Sequence, residues 1–301
     1  MAAIRTEIRR LTRQGAARLS CQVKVESVIM VSPGFVRVAL QGPGLAAYRE
    51  VHPADAFKIM LPPTGHPSAD LPAQDGNGVP HWPEGARQPV ARAFTVRYFY
   101  PEASRLEFDA MLHDTGLVRN WLDYVQPGDV IGIVGMRHEF HAGEGVTRHL
   151  IVGDSSALPA VAAIIESLEP GVPATVYLAI DHDADKALVP TRRDVKIYWV
   201  AGGSPTGPDS PLERAVRRRE RRGGRIQAWL AAEAGVVRGL RRWVLEELGV
   251  ALDDLHAAAY WKAELSSTQR DALELERYER ELASGADPND PTLRERVELG
   301  V

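Results

Sequence analysis

The residues best suited to chemistry stand in one short stretch, Arg92-Ala93-Phe94-Thr95-Val96-Arg97, inside the apolar run from Pro89 to Tyr100. That run is β-prone. In an extended strand side chains at i and i+2 share a face, so Arg92 and Phe94 point one way and Thr95 and Arg97 the other. Such a strand end offers a guanidinium fork, a flat ring and a small hydrogen-bonding group together. The set suits a flavin dinucleotide: guanidinium for the pyrophosphate, ring for stacking, hydroxyl for the flavin edge. An edge strand with solvated arginines shows the same short pattern, so the reading depends on what accompanies it.

The companions follow in order: Met111-Leu112-His113-Asp114-Thr115-Gly116, Asn120-Trp121, the run Val125 to Gly135, Val152-Gly153-Asp154-Ser155-Ser156-Ala157-Leu158-Pro159, Ala232-Glu233-Ala234-Gly235 and Ala259-Tyr260-Trp261-Lys262. As an ordered set they resemble the siderophore-interacting protein family of FAD-dependent ferric-siderophore reductases, a branch of the ferredoxin-reductase-like flavoproteins. The resemblance runs from about residue 20 to about residue 265.

The resemblance implies a role for each stretch. Arg92, Phe94, Thr95 and Arg97 match the family's Arg-x-Tyr-Thr-x-Arg flavin motif, with Phe94 keeping the ring and losing the phenol hydroxyl. His113, Thr115, Gly116, Arg119 and Trp121 fall where the family receives the FAD phosphates, with departures at Asp114 and Leu117. A helix starting at Thr115-Gly116 would still aim backbone N–H groups at an anion, and Arg119 would replace a lost hydrogen bond with a charge. Asp154, Ser155 and Ser156 correspond to the loop facing the nicotinamide of NADPH or NADH. Ser155-Ser156 read as an N-cap pair and Pro159 as part of a first helical turn; the separate Gly-x-Gly-x-x-Gly fingerprint is absent. Glu233 corresponds to the nicotinamide pocket, with Ala232 in place of a glycine. Tyr260 and Trp261 correspond to aromatics near the flavin, and core packing is their plainer role. Lys58, interrupting the apolar Phe57–Leu61, and Lys262 are the candidate catalytic residues: a positive funnel for an anionic ferric chelate, from opposite sides of a cleft. Lysines that merely snorkel to water are the alternative.

The elements that must position these residues can be read from periodicity. Short strands at Val23–Val28, Phe35–Leu40, Phe57–Leu61, 89–100, Arg105–His113 and Val130–Val134, with one helix at Leu117–Val125, predict a closed antiparallel barrel. Residues 62–88 read as a long surface loop and residues 1–19 as a loosely held basic lead-in. From His149 strands alternate with helices, which predicts a parallel sheet covered on both faces. The expected architecture is therefore an N-terminal FAD-binding β-barrel (20–145), a C-terminal NAD(P)H-binding α/β domain (146–265) and a helical extension (266–301).

Composition sets outer bounds. The chain has 301 residues, 45% hydrophobic and 25% charged, enough for two cored domains. A net charge of −4 gives no overall attraction to nucleic acid or membrane. Cys21 is the sole cysteine, which excludes an intrachain disulfide, a thiolate-held iron–sulfur cluster and a Cys-based zinc site. The opening residues carry scattered charge and no apolar signal core, and no 18-residue apolar run follows, so the expected location is cytoplasmic, with no membrane span. His138-Glu139-Phe140-His141 lacks metal-site spacing and reads as a surface linker. The arginine-rich run 214–222 reads as the solvated face of a helix.

The activity implied by the resemblance is NAD(P)H:ferric-siderophore oxidoreduction: hydride passes from NADPH or NADH to flavin N5, then single electrons pass to Fe(III) held by a siderophore, releasing iron. A flavin-dependent reductase of an organic acceptor in secondary metabolism, and a non-catalytic flavin or iron-chelate binder, are the alternatives.

Overall fold

The computed structural model describes residues 4–14, 19–62, 70–74, 80–86, 89–113, 115–201, 206–288, 290 and 292–300. The chain divides into two compact units, residues 10–140 and residues 141–301 together with 1–9. The first element is a helix, α1 (Ile4–Gln14). In the second unit's share of it, Ile4 and Ile8 are buried with Val146. This corrects the loose lead-in: two isoleucines four apart give a helix one apolar edge to bury.

Residues 10–140 form the barrel. Its strands are β1 (Ser20–Ser32), β2 (Phe35–Gln41), β3 (Ala56–Leu61), the short pair β4 (Ala73–Gln74) and β5 (Pro80–His81), then β6 (Val90–Thr95), β7 (Tyr98–Tyr100), β8 (Arg105–Met111) and β9 (Val130–Arg137), with α2 (Leu117–Tyr124) between the last two. The β4–β5 ladder stands inside what reads in sequence as one long loop; most of that loop lies outside the described residues. Seven antiparallel strands run in the order β6-β3-β9-β1-β2-β8-β7. The two edges are one stretch of chain. Residues 90–95 pair with β3 and residues 98–100 with β8, while between them Val96 N–H donates to Asp55 O and Arg97 N–H to Glu107 O, both at 2.8 Å. The stretch carrying the flavin motif is thus the seam that closes the barrel, which removes exposed strand edges. Val38, Leu40, Ile59, Leu106, Phe108 and Ile133 fill the interior at zero exposure, each stabilising by roughly 1.5–3 kcal/mol through burial.

The other unit continues with β10 (Arg148–Gly153), α3 (Leu158–Ser167), β11 (Ala174–Ala179), β12 (Val195–Val200), α4 (Pro211–Arg219), β13 (Ile226–Glu233), α5 (Ala234–Glu246), β14 (Leu255–Trp261), α6 (Ser267–Ala283) and α7 (Leu293–Leu299). The five strands are parallel in the order β12-β11-β10-β13-β14. Every residue of β13 is buried, as expected for a strand covered on both faces. Chain order reverses between β10 and β13, the position at which open α/β sheets hold ligands beyond their strand C-termini.

β14 has no counterpart in the sequence reading, whereas α7 falls within the expected helical extension. The run Leu255-His256-Ala257-Ala258-Ala259 is alanine-rich and lacks the β-branched residues that mark a strand, and only pairing with β13 makes it one. The arginine run is exposed, as expected, yet it also closes helix ends. Arg221 donates to the carbonyls of Arg218 and Glu220, and Arg222 to those of Glu246 and Glu247, the last turns that lack intrahelical partners.

Candidate functional site

In the barrel unit, Arg92 and Phe94 do share a face of β6. Their partners across the ladder are Ile59 and Phe57, both buried core residues, so the shared face is the barrel side. Phe94 is half-buried, with its ring 4.5 Å from that of Phe108. Cross-strand pairing with Phe57 draws one side of the ring toward the core, and the ring stays half-buried. Arg92 is half-buried and donates from Nη1 to Ala91 O. Thr95 and Arg97 are buried at 7% and 6% exposure. The Arg97 guanidinium lies 4.1 Å from the Tyr98 ring centre, a cation–π contact that holds the seam. Lys58 faces outward and is exposed, opposite exposed Ala93.

His113, Thr115 and Gly116 are exposed; Asp114 lies outside the described residues. Gly116 precedes α2 with φ 129° and ψ 168°, and among the described residues no side chain caps the helix. No atom beyond its chain neighbours comes within 4 Å of the place a Cβ would take. Among the described residues nothing takes the first N–H groups of α2, and the residues present fit the phosphate end of FAD. Arg119 is paired with Asp123 at 3.0 Å along the helix, so its charge is partly spent. Trp121 is half-buried on the barrel core.

Sequence reasoning missed the group that pins the seam. Asp55 is fully buried; its Oδ2 accepts from Tyr48 Oη and from His52 N–H at 2.9 Å, and its Oδ1 meets His138 Nδ1 at 2.5 Å. Burial and the adjacent Asp55 charge push the Tyr48 phenol well up. Asp55 O also holds Val96. His138, Glu139 and Phe140 are all buried at 1% or less, which corrects the surface-linker reading: a carboxylate 83 positions away in sequence claims the imidazole. Among the described residues no group of His, Cys, Asp or Glu is placed to hold a metal.

In the α/β unit, four predicted residues converge where chain order reverses. Asp154, fully buried after β10, accepts from Ser156 N–H at 3.0 Å and from the Ser156 hydroxyl on Oδ1, and on Oδ2 from Glu233 N–H at 3.1 Å and Trp261 Nε1 at 2.7 Å. Burial pushes this carboxyl up, opposed by the bonds from Ser156, Trp261 and Glu233. Asp154, and not the serine pair, is the cap of the following 3-10 turn, because a charged acceptor outcompetes a hydroxyl for the free N–H. Ser155 turns inward and accepts from Asp181 N–H at 3.0 Å.

Glu233 ends β13 and caps α5, accepting from Gly235 N–H at 2.7 Å, Val236 N–H at 3.1 Å and Gly207 N–H at 3.2 Å, with Ala263 N–H at 3.3 Å on its other oxygen. A Cβ on Gly235 would meet Glu233 Oε2 at 2.9 Å and Gly207 Cα at 3.1 Å, so a side chain here would push the carboxylate from its place. Tyr260 is half-buried with its ring edge toward Trp229, and Lys262 is half-buried just beyond β14. Asp154 and Glu233 thus brace three strand ends, and their carboxylates are occupied by protein donors.

A closed antiparallel barrel whose seam carries Arg-x-Phe-Thr-x-Arg, with a separate five-stranded parallel unit ordered around β10, defines the class of FAD-binding reductase-like proteins. The chain belongs to the siderophore-interacting protein family: residues 24–140 match the siderophore-interacting FAD-binding domain and residues 146–264 the siderophore-interacting protein domain. It is 28% identical over 235 residues to ferric vibriobactin reductase ViuB of Vibrio cholerae, covering 77% of this chain and 85% of that one. Ferric acinetobactin reductase of Acinetobacter baumannii is 29% identical over 210 residues, covering 69% and 72%. A siderophore utilization protein from T. fusca shares the fold with TM-score 0.72 and 28% identity, over 82% of this chain and 94% of that one. Among the described residues no helix is long and apolar enough to cross a membrane.

Proposed function

We propose that this chain is an NAD(P)H:ferric-siderophore oxidoreductase that uses FAD and releases iron by reducing it. The observation that carries the reading is the pairing of the arginine-bearing seam with an uncapped, glycine-led helix start in one barrel, in a chain whose relatives are named as ferric-siderophore reductases. FAD supplies what the side chains cannot, a conversion between the electron pair of a nicotinamide and the single electron that Fe(III) accepts. The protein's own part is to bind and orient. Arg92 pairs with the pyrophosphate, the open N–H groups after Gly116 receive phosphate oxygens, and Thr95 and Arg97 keep the seam closed behind them. In the α/β unit, Asp154 and Glu233 hold Trp261 and the start of α5 in place beside the nicotinamide, and the exposed Lys58 with Lys262 adds positive charge for an anionic ferric chelate. No general acid or nucleophile is required, because weaker binding of Fe(II) by hard oxygen ligands releases the metal.

The test is the visible spectrum of the purified protein. A yellow protein, bleached by NADPH or NADH without oxygen and recoloured by a ferric siderophore, supports the assignment. Bleaching followed by recolouring with organic acceptors alone would move it to the organic-acceptor reading. A flavin that neither nicotinamide reduces would make the chain a carrier.

A further inference from the structure

The α/β unit contains a cavity of about 390 Å³ where α6 and α7 lie against α1 and the start of β14. Leu255 to Ala257 form its strand wall, at the opposite end of β14 from Trp261, so it stands apart from the crevice where chain order reverses. The helices α1, α6 and α7 fall outside residues 24–140 and 146–264, the parts that match the family. The size is that of a small-molecule site. Ile8, Leu255, Leu293 and Val297 are buried walls, while Leu275 and Tyr278, 57% and 37% exposed, stand where it opens.

Two polar groups on the wall are incompletely satisfied. Arg5 is 7% exposed, donates from Nε to Leu255 O at 2.8 Å and pairs with Glu295. Glu295 also takes Arg241 Nε at 2.7 Å, so two guanidiniums share one carboxylate. Burial, then Arg241, draws the Arg5 pKa down to about 10, against the opposing charges of Asp253 and Asp290. Arg5 Nη1 is buried without a hydrogen-bond partner. Glu298 gives one oxygen to Arg294, and its Oε2 is likewise buried without a partner. The other carboxyls on the wall are paired: Glu274 lies 3.4 Å from Arg270 Nε, and Asp290 is bound to Arg296 at 2.7 Å.

We propose that this cavity binds a small amphipathic acid, with its carboxylate on Arg5 Nη1, an apolar body between the leucine and valine walls, and a hydroxyl donating to Glu298 Oε2. Such a ligand meets the donor and the acceptor that the protein leaves unmet, which is where a buried site discriminates most strongly between analogues.

Titration calorimetry on the FAD-loaded full chain tests it with three probes of one shape: 4-hydroxyphenylacetate, the uncharged tyrosol and the cationic tyramine. The acid is expected to bind at least about tenfold more tightly than either analogue. Leu275→Asp, at an exposed position, places a negative charge at the opening and is expected to weaken the acid about fivefold or more, while Leu275→Asn changes it less than about twofold. Arg5→Met, where it folds, abolishes the preference for the acid. Equal or tighter binding of tyrosol or tyramine, no detectable binding of the acid up to about 10 mM, or equal effects of the aspartate and asparagine variants would overturn the proposal.

Discussion

Arg92 is the residue on which flavin retention is expected to depend, because it carries a half-buried guanidinium on the seam, on the strand face it shares with Phe94. A charge-assisted hydrogen bond to a pyrophosphate contributes about 1.5–3 kcal/mol, so Arg92→Ala is expected to weaken FAD binding roughly ten- to a hundredfold. Flavin occupancy after dialysis reads this directly, and full occupancy in a folded variant would remove Arg92 from the site. Asp154 is the corresponding residue of the α/β unit, with a different role. Its removal in Asp154→Ala strands the N–H groups of Ser156, Glu233 and Trp261. Unmet donors cost about 1–3 kcal/mol each when buried, so a loss of at least about 3 kcal/mol is expected in denaturant unfolding. A loss below about 1 kcal/mol would show that water replaces the carboxylate.

Among the elements, α2 is short and begins on a glycine whose φ and ψ lie in a region essentially reserved for glycine. Gly116→Ala is expected to cost about 1–3 kcal/mol of backbone strain, to fray the start of α2 and to speed FAD release. Unchanged melting temperature and release rate together would separate the helix start from the cofactor. In β10, burial lowers the His149 pKa from 6.5 to about 4. Between those values the unfolded chain takes up the proton and the folded chain does not. The stabilisation is therefore fully present above pH 6.5 and is lost as pH falls from 6.5 to about 4, reaching about 3 kcal/mol in all. Unfolding free energy measured across this range is expected to fall less steeply in His149→Leu; parallel curves would assign the acid sensitivity to other groups.

For the molecule as a whole, substrate charge is the sharpest test. Lys58 is exposed and Lys262 half-buried, in a chain of net charge −4. The double variant Lys58→Ala, Lys262→Ala is expected to raise KM for an anionic ferric siderophore while sparing NAD(P)H oxidation with a neutral acceptor. Added salt is expected to slow the parent reaction more than the variant's, since screening removes what the substitution has already removed; equal salt sensitivity with unchanged KM would dismiss the lysines. The division into a strand-rich first half and an alternating second half was legible because burial imposes periods of two and of 3.6 on the residues themselves, and the ordered motifs carried the family with them. Strand β14, with its weak propensity, and the seam that closes the barrel were not legible, because each exists only through a partner strand remote in sequence. The same holds for single residues. Phe94 is drawn to the core by Phe57 and Phe108, His138 is buried by Asp55, and Asp154 and Glu233 are spent as braces. Side-chain type announces what a residue can bond, and only the folded chain determines which partners arrive first.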